Sequence, residues 1–374
     1  MAGQLESYVD SFDEQPGYLD WAAFGPLSPE VRSEVHADAE LLGTGRRSSV
    51  DLVNEHVDQS RVTAAAMLAV REDQVVIQPS ASHGLQQAIY GLSGDLLLSR
   101  AEFPSLTVAV TRAEACGADV SAHWVEPDRG FMSPEVIRDA LTEEVTAVAV
   151  SLVDFRTGYL TDLSAIRDVI GDRLLIVDAI QGLGVVDADY ASADVVCANG
   201  YKWLRAGHGT GVASYSDRAM ERITPVLSGY VGAEGGLPVD EVTAPVTDAR
   251  AFLVSKADSL ASARLGTALR EIQDAGIDEV AAAVAARATR VIEIADEAGI
   301  AVLTPREEQY RAGIVTLVPE AQDAGPLSAE LANAGVTTTA RGGTIRVSAH
   351  AGTDDETLEM FQGALTAFAA MRSW

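Results

Sequence analysis

Short apolar runs alternate with helical patterns between residues 60 and 216. Several of these runs contain almost no polar residue, as expected for strands that are buried on both faces of a sheet. Their alternation with helices predicts an α/β unit with a mostly parallel, doubly wound sheet. The predicted strands are VVIQP (75–79), DLLLS (95–99), ADVSAHWV (118–125), TAVAVSLV (146–153), LLIVD (174–178), ADVVCA (193–198) and GVASY (211–215).

The remainder of the chain predicts a smaller α+β unit. Residues 225–247 are rich in Gly and Pro and are typical of a connector. A long Ala-rich helical stretch follows at 256–298, and then the strand-like segments AVLTP, GIVTLVP and TIRVSAH, with helices near 327–334 and 354–372. We therefore predict an N-terminal segment (1–20) that packs on the small domain, a large domain (21–245) and a small C-terminal domain (246–374).

The charge of the chain limits its partners. It has 374 residues with 55 acidic and 27 basic side chains, which give a formal net charge of −28. Such a surface repels phosphate backbones and anionic membranes, so we expect neither nucleic-acid nor membrane binding. Two cysteines, Cys116 and Cys197, form no disulfide framework and no zinc motif, and we predict no metal site. Without a signal-like or membrane-spanning run, we expect a cytoplasmic protein.

The scarcity of lysine singles out one position. The chain has two lysines, Lys202 and Lys256, among its 27 basic residues. Arginine keeps its proton in a protein, whereas lysine can lose it and then act as a nucleophile. Lys202 follows the predicted strand ADVVCA, so it is a candidate for a Schiff base at a sheet edge. The ordinary alternative is a solvated surface cation.

Two neighbouring features support a site at that edge. Asp178 ends the strand LLIVD, and ligands of open α/β sheets bind at the carboxyl ends of the strands. A carboxylate there can keep a pyridinium nitrogen protonated, although Asp178 could also merely cap a turn. The stretch PSASHGLQQAIYGL (79–92) opens a helix whose free N–H groups suit a phosphate. The glycines of GHGTG (207–211) lead into a strand and not into a helix, which argues against a dinucleotide loop.

In this order the segments resemble the class V aminotransferase family of pyridoxal-phosphate enzymes, which have the fold type I architecture. The most specific segments are SLVDFRTGYLTDL (151–163), VDAIQGLG (177–184) and NGYKWL (199–204). YLDWAAFGPLSPEV (18–31) is similar to the N-terminal segment of the family, and IRVSAH (345–350) to its C-terminal substrate strand. The first of the three segments, with EFPS (102–105), is most similar to the kynureninase and isopenicillin-epimerase side of the family.

The resemblance implies a role for each matching residue. Lys202 would form the Schiff base with pyridoxal phosphate, and Asp178 would pair with its pyridine nitrogen. Gln181 would hydrogen-bond the phenolic oxygen, Phe103 would stack on the ring, and Arg346 would bind the substrate's α-carboxylate through paired hydrogen bonds. The residues implied to contact the phosphate are Ser82, His83 through its backbone N–H, Asn199 and Tyr201. The ordinary alternatives are core packing for Phe103, a turn role for Gln181 and a surface ion pair for Arg346.

The same resemblance leaves the reaction open. Gln181 matches the desulfurases, where the kynureninase pattern has His. Desulfurases, however, need a mobile cysteine before the C-terminal arginine, and TTTARGGTIRVS (337–348) has none. We expect Cys116 and Cys197 to be buried free thiols. Aminotransferase-type chemistry is the first choice; a carbon–sulfur or kynureninase-like lyase and an epimerase are the alternatives.

The resemblance also implies a homodimer with active sites at the interface. The segment SKAD (255–258) occupies the place of one that reaches the partner's cofactor phosphate in the family, and it contains Lys256. A solvated residue at a helix start is the alternative for Lys256. Two rivals from other classes are a sensor that binds pyridoxal phosphate without turnover and a structural protein that keeps only the fold.

Overall fold

The structure is a computed structural model of the single chain, and it describes residues 2–235 and 241–372. Residues 236–240 of the predicted connector and residues 373–374 of the predicted small domain lie outside the described residues. None of the helices within the described ranges has the length and apolar character that crossing a bilayer requires.

The larger sheet confirms the predicted mostly parallel arrangement. Its strands in the described chain are β1 Val75–Gln78, β2 Gly94–Ser99, β3 Val120–Val125, β4 Val145–Ser151, β5 Leu174–Asp178, β6 Val195–Asn199 and β7 Gly211–Tyr215. They lie in the order β1-β7-β6-β5-β4-β2-β3. The pairings from β6 to β3 are parallel, whereas β7 is antiparallel to both of its neighbours.

Neighbouring residues of the central strands point into two different cores. In β5, Val177 belongs to one buried cluster and Ile176 to the other. Because successive side chains of a strand point to opposite faces, both faces of the sheet are covered, as a doubly wound fold requires. The helices that accompany the sheet are α1 Ala2–Val9, α2 Pro29–Gly43, α3 Arg47–Met67, α4 Ala81–Tyr90, α5 Pro104–Ala115, α6 Pro134–Ala140, α7 Leu163–Ile170, α8 Asp217–Arg222 and α9 Ser259–Ala275. Residues of α4 and α5 line one core and residues of α6 and α7 line the other.

The start of α6 is where the sequence predicts it, whereas the long helix predicted after the connector is divided in two. Ser133 precedes α6 and its hydroxyl accepts a hydrogen bond from the N–H of Val136, as a cap does. The predicted single helical stretch at 256–298 is wrong, because α9 ends and α10 (Ile277–Glu297) begins around Gly276. Gly276 has φ +86°, a conformation that ends a helix and that residues with a side chain rarely adopt.

The second sheet is antiparallel and confirms the smaller α+β unit. Its strands are β8 Ala301–Val302, β9 Ile314–Val318, β10 Thr339–Arg341 and β11 Thr344–Ser348, in the order β10-β11-β9-β8. Helices α11 (Ala324–Asn333) and α12 (Asp355–Arg372) follow the predicted positions within a few residues. Strand β10 was not predicted, and it pairs with β11 through a turn at residues 342–343.

The N-terminal segment packs against this second sheet. Leu19 is fully buried in the same cluster as Val347 of β11. Its backbone N–H donates to the carbonyl of Thr337 (3.1 Å), and its carbonyl accepts from the N–H of Ser348 (2.8 Å). The domain limits at residues 20 and 245 stay predictions.

Candidate active site

Asp178 and Lys202 lie at the carboxyl ends of neighbouring strands. Asp178 is the last residue of β5, and Lys202 follows the end of β6 by three residues. These strands pair in parallel with Asp178 opposite Cys197, so their carboxyl ends share one edge of the sheet. The structure therefore places both side chains where open α/β sheets bind ligands.

A tight turn and a contact with Gly25 fix the backbone of Lys202. The N–H of Arg205 donates to the carbonyl of Lys202 (3.0 Å), and the N–H of Gly25 donates to the carbonyl of Tyr201 (2.8 Å). A Cβ atom at Gly25 would lie 1.9 Å from the carbonyl oxygen of Lys202. Only a glycine fits this close approach, which accounts for the glycine of YLDWAAFG.

Burial shifts the pKa values of both residues. Lys202 is 5% exposed and Asp178 is 2% exposed. Burial lowers the pKa of Lys202 from 10.5 to about 8, which the charge of Asp178 opposes and the charge of Arg346 reinforces. Burial raises the pKa of Asp178 from 3.8 to about 6, opposed by the N–H of Ile180 and by Lys202. Near neutral pH the amine therefore has a sizeable neutral fraction beside a mostly ionised carboxylate.

Two aromatic rings lie near the amine of Lys202. Nζ of Lys202 lies 5.8 Å from the ring centroid of Phe103 and 5.6 Å from that of Tyr201. The half-buried Phe103 ring meets Phe155 edge to face at 5.2 Å, and the Tyr201 ring stacks on His208 at 4.4 Å. These contacts hold both predicted aromatic residues at the amine, which suits a flat, apolar-faced ligand.

Gln181 is oriented by two hydrogen bonds. Its Oε1 accepts from Nε1 of Trp203 (2.8 Å), and its Nε2 donates to the carbonyl of Ala22 (3.0 Å). An amide nitrogen has two N–H groups, so one remains for a further acceptor. Gln181 is thus more than a turn residue, because it connects the backbone of Ala22 to Trp203 beside Lys202.

The start of α4 is only partly as predicted. Ser80 caps the helix, and the N–H of His83 donates to the carbonyl of Ser80 (3.1 Å). Oδ1 of Asn199 accepts from the N–H of Ala81 (2.5 Å), while the hydroxyl of Ser82 lies 2.7 Å from that of Ser105. Among the described residues the backbone N–H of Ser82 has no hydrogen-bond acceptor. The N–H of Ser82 is therefore free for an anion, whereas the N–H of His83 is bonded to Ser80 in this structure; the phosphate contacts of Ser82 and His83 stay predictions.

Arg346 lies on β11 and lines a cavity. Its side chain is 14% exposed, and Nη2 lies 3.4 Å from Oδ1 of Asp20. Burial lowers the pKa of Arg346, and the charge of Asp20 opposes this shift. Arg346 is therefore no surface ion pair. The cavity has a volume of about 380 Å³, and the other residues that line it include Phe155, Arg156, Thr339 and Arg341.

Two charged residues near the site were missed by the sequence reasoning. Arg156 lines the cavity and its Nη2 donates to the carbonyl of Gly130 (2.6 Å). Glu102 is 8% exposed and its Oε2 accepts from the hydroxyl of Ser151 (2.6 Å). Burial raises the pKa of Glu102 to about 7, and the Ser151 hydrogen bond opposes this. The sequence offered a signal for both residues, because Arg156 lies in SLVDFRTGYLTDL and Glu102 in EFPS, two of the segments that carry the family resemblance.

The cysteines and the second lysine lie apart from this arrangement. Cys197 is buried in β6, and burial raises the pKa of its thiol. The expectation of a buried Cys116 is wrong: it is exposed at the end of α5, where its thiol donates to the carbonyl of Ala113 (3.2 Å). Helix α5 buries its other face, so Cys116, which directly follows its last residue, faces solvent. Lys256 is exposed in the segment before α9.

A buried lysine at the carboxyl edge of a mostly parallel sheet, followed by a small α+β unit, defines the fold type I architecture of pyridoxal-phosphate enzymes. The chain belongs to the class V aminotransferase family, whose sequence model matches residues 17–353. Kynureninase of Deinococcus radiodurans is 28% identical over 330 residues, covering 83% of this chain and 77% of that protein. Cysteine desulfurase IscS of Acinetobacter baumannii is 24% identical over 197 residues. The chain spans about half the length of that relative, since the alignment covers 49% of each.

Solved structures confirm the fold prediction. The apo structure of a cysteine desulfurase from Thermococcus onnurineus NA1 matches with a TM-score of 0.84 at 18% identity and covers 95% of each chain. The cystine C-S lyase C-DES in complex with cysteine persulfide matches with a TM-score of 0.83 at 19% identity. That match covers 95% of this chain and 97% of the lyase. At these identities the likeness shows a shared fold.

Proposed function

We propose that this chain is a pyridoxal-phosphate-dependent enzyme that acts on an amino acid through Lys202, with aminotransferase-type chemistry as the first assignment. The observation that carries the proposal is the buried amine of Lys202 beside the buried carboxylate of Asp178 at the sheet edge. Membership of the class V aminotransferase family supports it.

The described residues fit this cofactor. The amine of Lys202 suits its aldehyde, Asp178 its ring nitrogen, and the free N–H of Ser82 its phosphate. The remaining N–H of Gln181 suits its phenolic oxygen, and Phe103 offers a ring face. When bound, pyridoxal phosphate supplies a protonated pyridine ring that accepts the electron pair released at the substrate's Cα.

The chain's own residues bind the substrate and move its proton. Arg346 binds the α-carboxylate through two parallel N–H groups, and Asp20 at 3.4 Å orients the guanidinium. Lys202, with its lowered pKa, takes the proton from Cα as a general base. Asp178 would hold the ring nitrogen of the cofactor in its protonated form, because its carboxylate is mostly ionised near neutral pH. The atom to which the proton then returns decides between transamination and epimerisation.

A lyase is the second candidate. The relative that covers 83% of this chain is a kynureninase, and a carbon–sulfur lyase shares the fold. A persulfide-forming mechanism is not favoured, because residues 337–348 before and around Arg346 contain no cysteine. A sulfur-containing substrate would therefore release sulfide or a thiol, and not a protein-bound persulfide.

The test is a panel of amino acids added to the holoenzyme, with and without a 2-oxo acid, followed by mass spectrometry of the products. A new amino acid that forms only with the 2-oxo acid supports an aminotransferase. Fragmentation without an acceptor supports the lyase, and an inverted amino acid supports an epimerase. A spectral change without product would instead indicate a sensor, and failure to take up the cofactor would contradict the proposal. Lys202→Ala is the matched negative control.

A further inference from the structure

Helices α2 and α3 carry three metal-ligating side chains outside the cofactor site. Glu34 and Asp38 lie one turn apart on α2 and therefore project from the same face. His56 lies on α3, which follows α2 after a connection of residues 44–46, and its imidazole faces both carboxylates. One ligand atom of each residue lies within 4.8 Å of the other two.

The distances match those between ligands of one ion. Nε2 of His56 lies 3.1 Å from Oδ2 of Asp38 and 3.5 Å from Oε1 of Glu34. Nitrogen and oxygen ligands of zinc lie about 2.0–2.2 Å from the metal. Two such ligands are about 3.0 Å apart at a right angle and about 3.4 Å apart at the tetrahedral angle. The three side chains therefore need little movement to share an ion.

The second observation concerns the buried carboxylate. Asp38 is 5% exposed, and among the described residues its Oδ2 accepts no hydrogen bond although Nε2 of His56 is 3.1 Å away. Proximity without hydrogen-bond geometry is expected of two ligands whose lone pairs point at a common ion. A simple ion pair with protonated His56 would leave this buried oxygen without a hydrogen bond, an arrangement that proteins generally avoid.

We propose that Glu34, Asp38 and His56 bind a divalent transition-metal ion of the zinc type, through Nε2 and one oxygen of each carboxylate. The imidazole nitrogen favours zinc, cobalt or nickel over magnesium and calcium, which prefer oxygen ligands. The ion balances the two carboxylate charges and leaves a fourth position for water. It joins α2 to α3, which both pack against α9, so its effect is on stability.

The test measures binding of Zn²⁺ and Co²⁺ to holoenzyme freed of metal with a chelator. All variants carry Cys116→Ser, because the exposed thiol could bind zinc itself. We expect one equivalent of Zn²⁺, a Co²⁺ absorption band, and a melting temperature raised by about 3–5 °C at a hundredfold excess over the Kd. His56→Gln should weaken binding more than about tenfold, because loss of an outer-shell partner already costs about ten- to a hundredfold and loss of a ligand should cost at least as much.

A matched control is available on the same helix. His36 is exposed on α2, so His36→Gln should leave binding and the melting temperature unchanged. If His56→Gln fails to fold, the half-buried Glu34→Gln gives the same comparison. Stoichiometric binding that is lost in these two variants and kept in His36→Gln supports the site. The absence of stoichiometric binding, or equal affinity in His56→Gln, overturns it.

Discussion

Replacing Asp178 by Asn should raise the neutral fraction of the Lys202 amine in the apoprotein and lower the turnover of the holoenzyme. The substitution keeps the size of the side chain and removes the charge that favours the protonated amine of Lys202. In the apoprotein the pKa of Lys202 should therefore fall further, because burial continues to disfavour the charged amine. In the holoenzyme turnover should fall, because a neutral amide cannot keep the ring nitrogen protonated.

The pKa values give the size of the effect. With a pKa of about 8, roughly a tenth of Lys202 is neutral at pH 7, against about 0.03% for an ordinary lysine. Loss of a nearby opposite charge typically moves a pKa by about one to three units. The neutral fraction in Asp178→Asn should thus reach about half or more, a rise of about fivefold or greater at pH 7. Turnover should drop by orders of magnitude, because the neutral amide cannot keep the ring nitrogen protonated.

Because the chain has two lysines, the amine can be followed directly. Apoprotein is labelled with trace acetic anhydride from pH 5 to pH 10, and the modified peptides are quantified by mass spectrometry. The exposed Lys256 serves as the internal reference, and Asp172→Asn, whose side chain is 78% exposed, is the matched substitution. The reasoning is refuted if the labelling midpoint of Lys202 stays or rises in Asp178→Asn, or if turnover stays near normal.

Three further predictions test the remaining residues. Borohydride reduction of the holoenzyme and peptide mapping should place the cofactor on Lys202, and Lys202→Ala should abolish turnover; a tag on Lys256 would contradict the assignment. Arg346→Lys should raise the KM for the amino acid more than it raises the Kd of the cofactor, because an ammonium cannot make paired hydrogen bonds. An equal loss of cofactor binding would count against the substrate role. If the protein is an obligate dimer whose Lys256 reaches the partner's phosphate, Lys256→Ala should loosen the cofactor, and mixing it with Lys202→Ala chains should restore one complete site per heterodimer. A fully active monomer in ultracentrifugation would exclude that interface role.

The fold was predictable where its signal is local. Strands such as β5 are continuous apolar runs that end at a polar residue, so both their existence and their limits are readable from the sequence. The break between α9 and α10 was missed because a single glycine, Gly276, interrupts an Ala-rich pattern that continues on both sides. Strand β10 was missed because it is only three residues long, contains no buried residue, and has a position that depends on pairing with β11.

The residues of the candidate site also differ in how far the sequence alone predicts them. Lys202 and Asp178 follow strand ends, and the topology of a parallel sheet brings such positions together. Glu102 is different, since its burial depends on a hydrogen bond to Ser151 at the end of another strand, 49 residues away. The exposure of Cys116 also depends on tertiary packing, because a helix end can face either the core or the solvent. The sequence thus predicts the proposed reacting groups, Lys202 and Asp178, more easily than the residues that pack around them.

The segment YLDWAAFG (18–25) shows why the family resemblance begins so far from the lysine. Three of its residues contact three separated parts of the site: Asp20 lies against Arg346, the carbonyl of Ala22 accepts from Gln181, and Gly25 lies against the backbone of Lys202. The last contact leaves no space for a side chain, and the first supplies a counter-charge to a mostly buried guanidinium. A short segment with this spacing therefore fixes Arg346 relative to Lys202. The sequence YLDWAAFG carries geometric information about a site to which it contributes no reacting group.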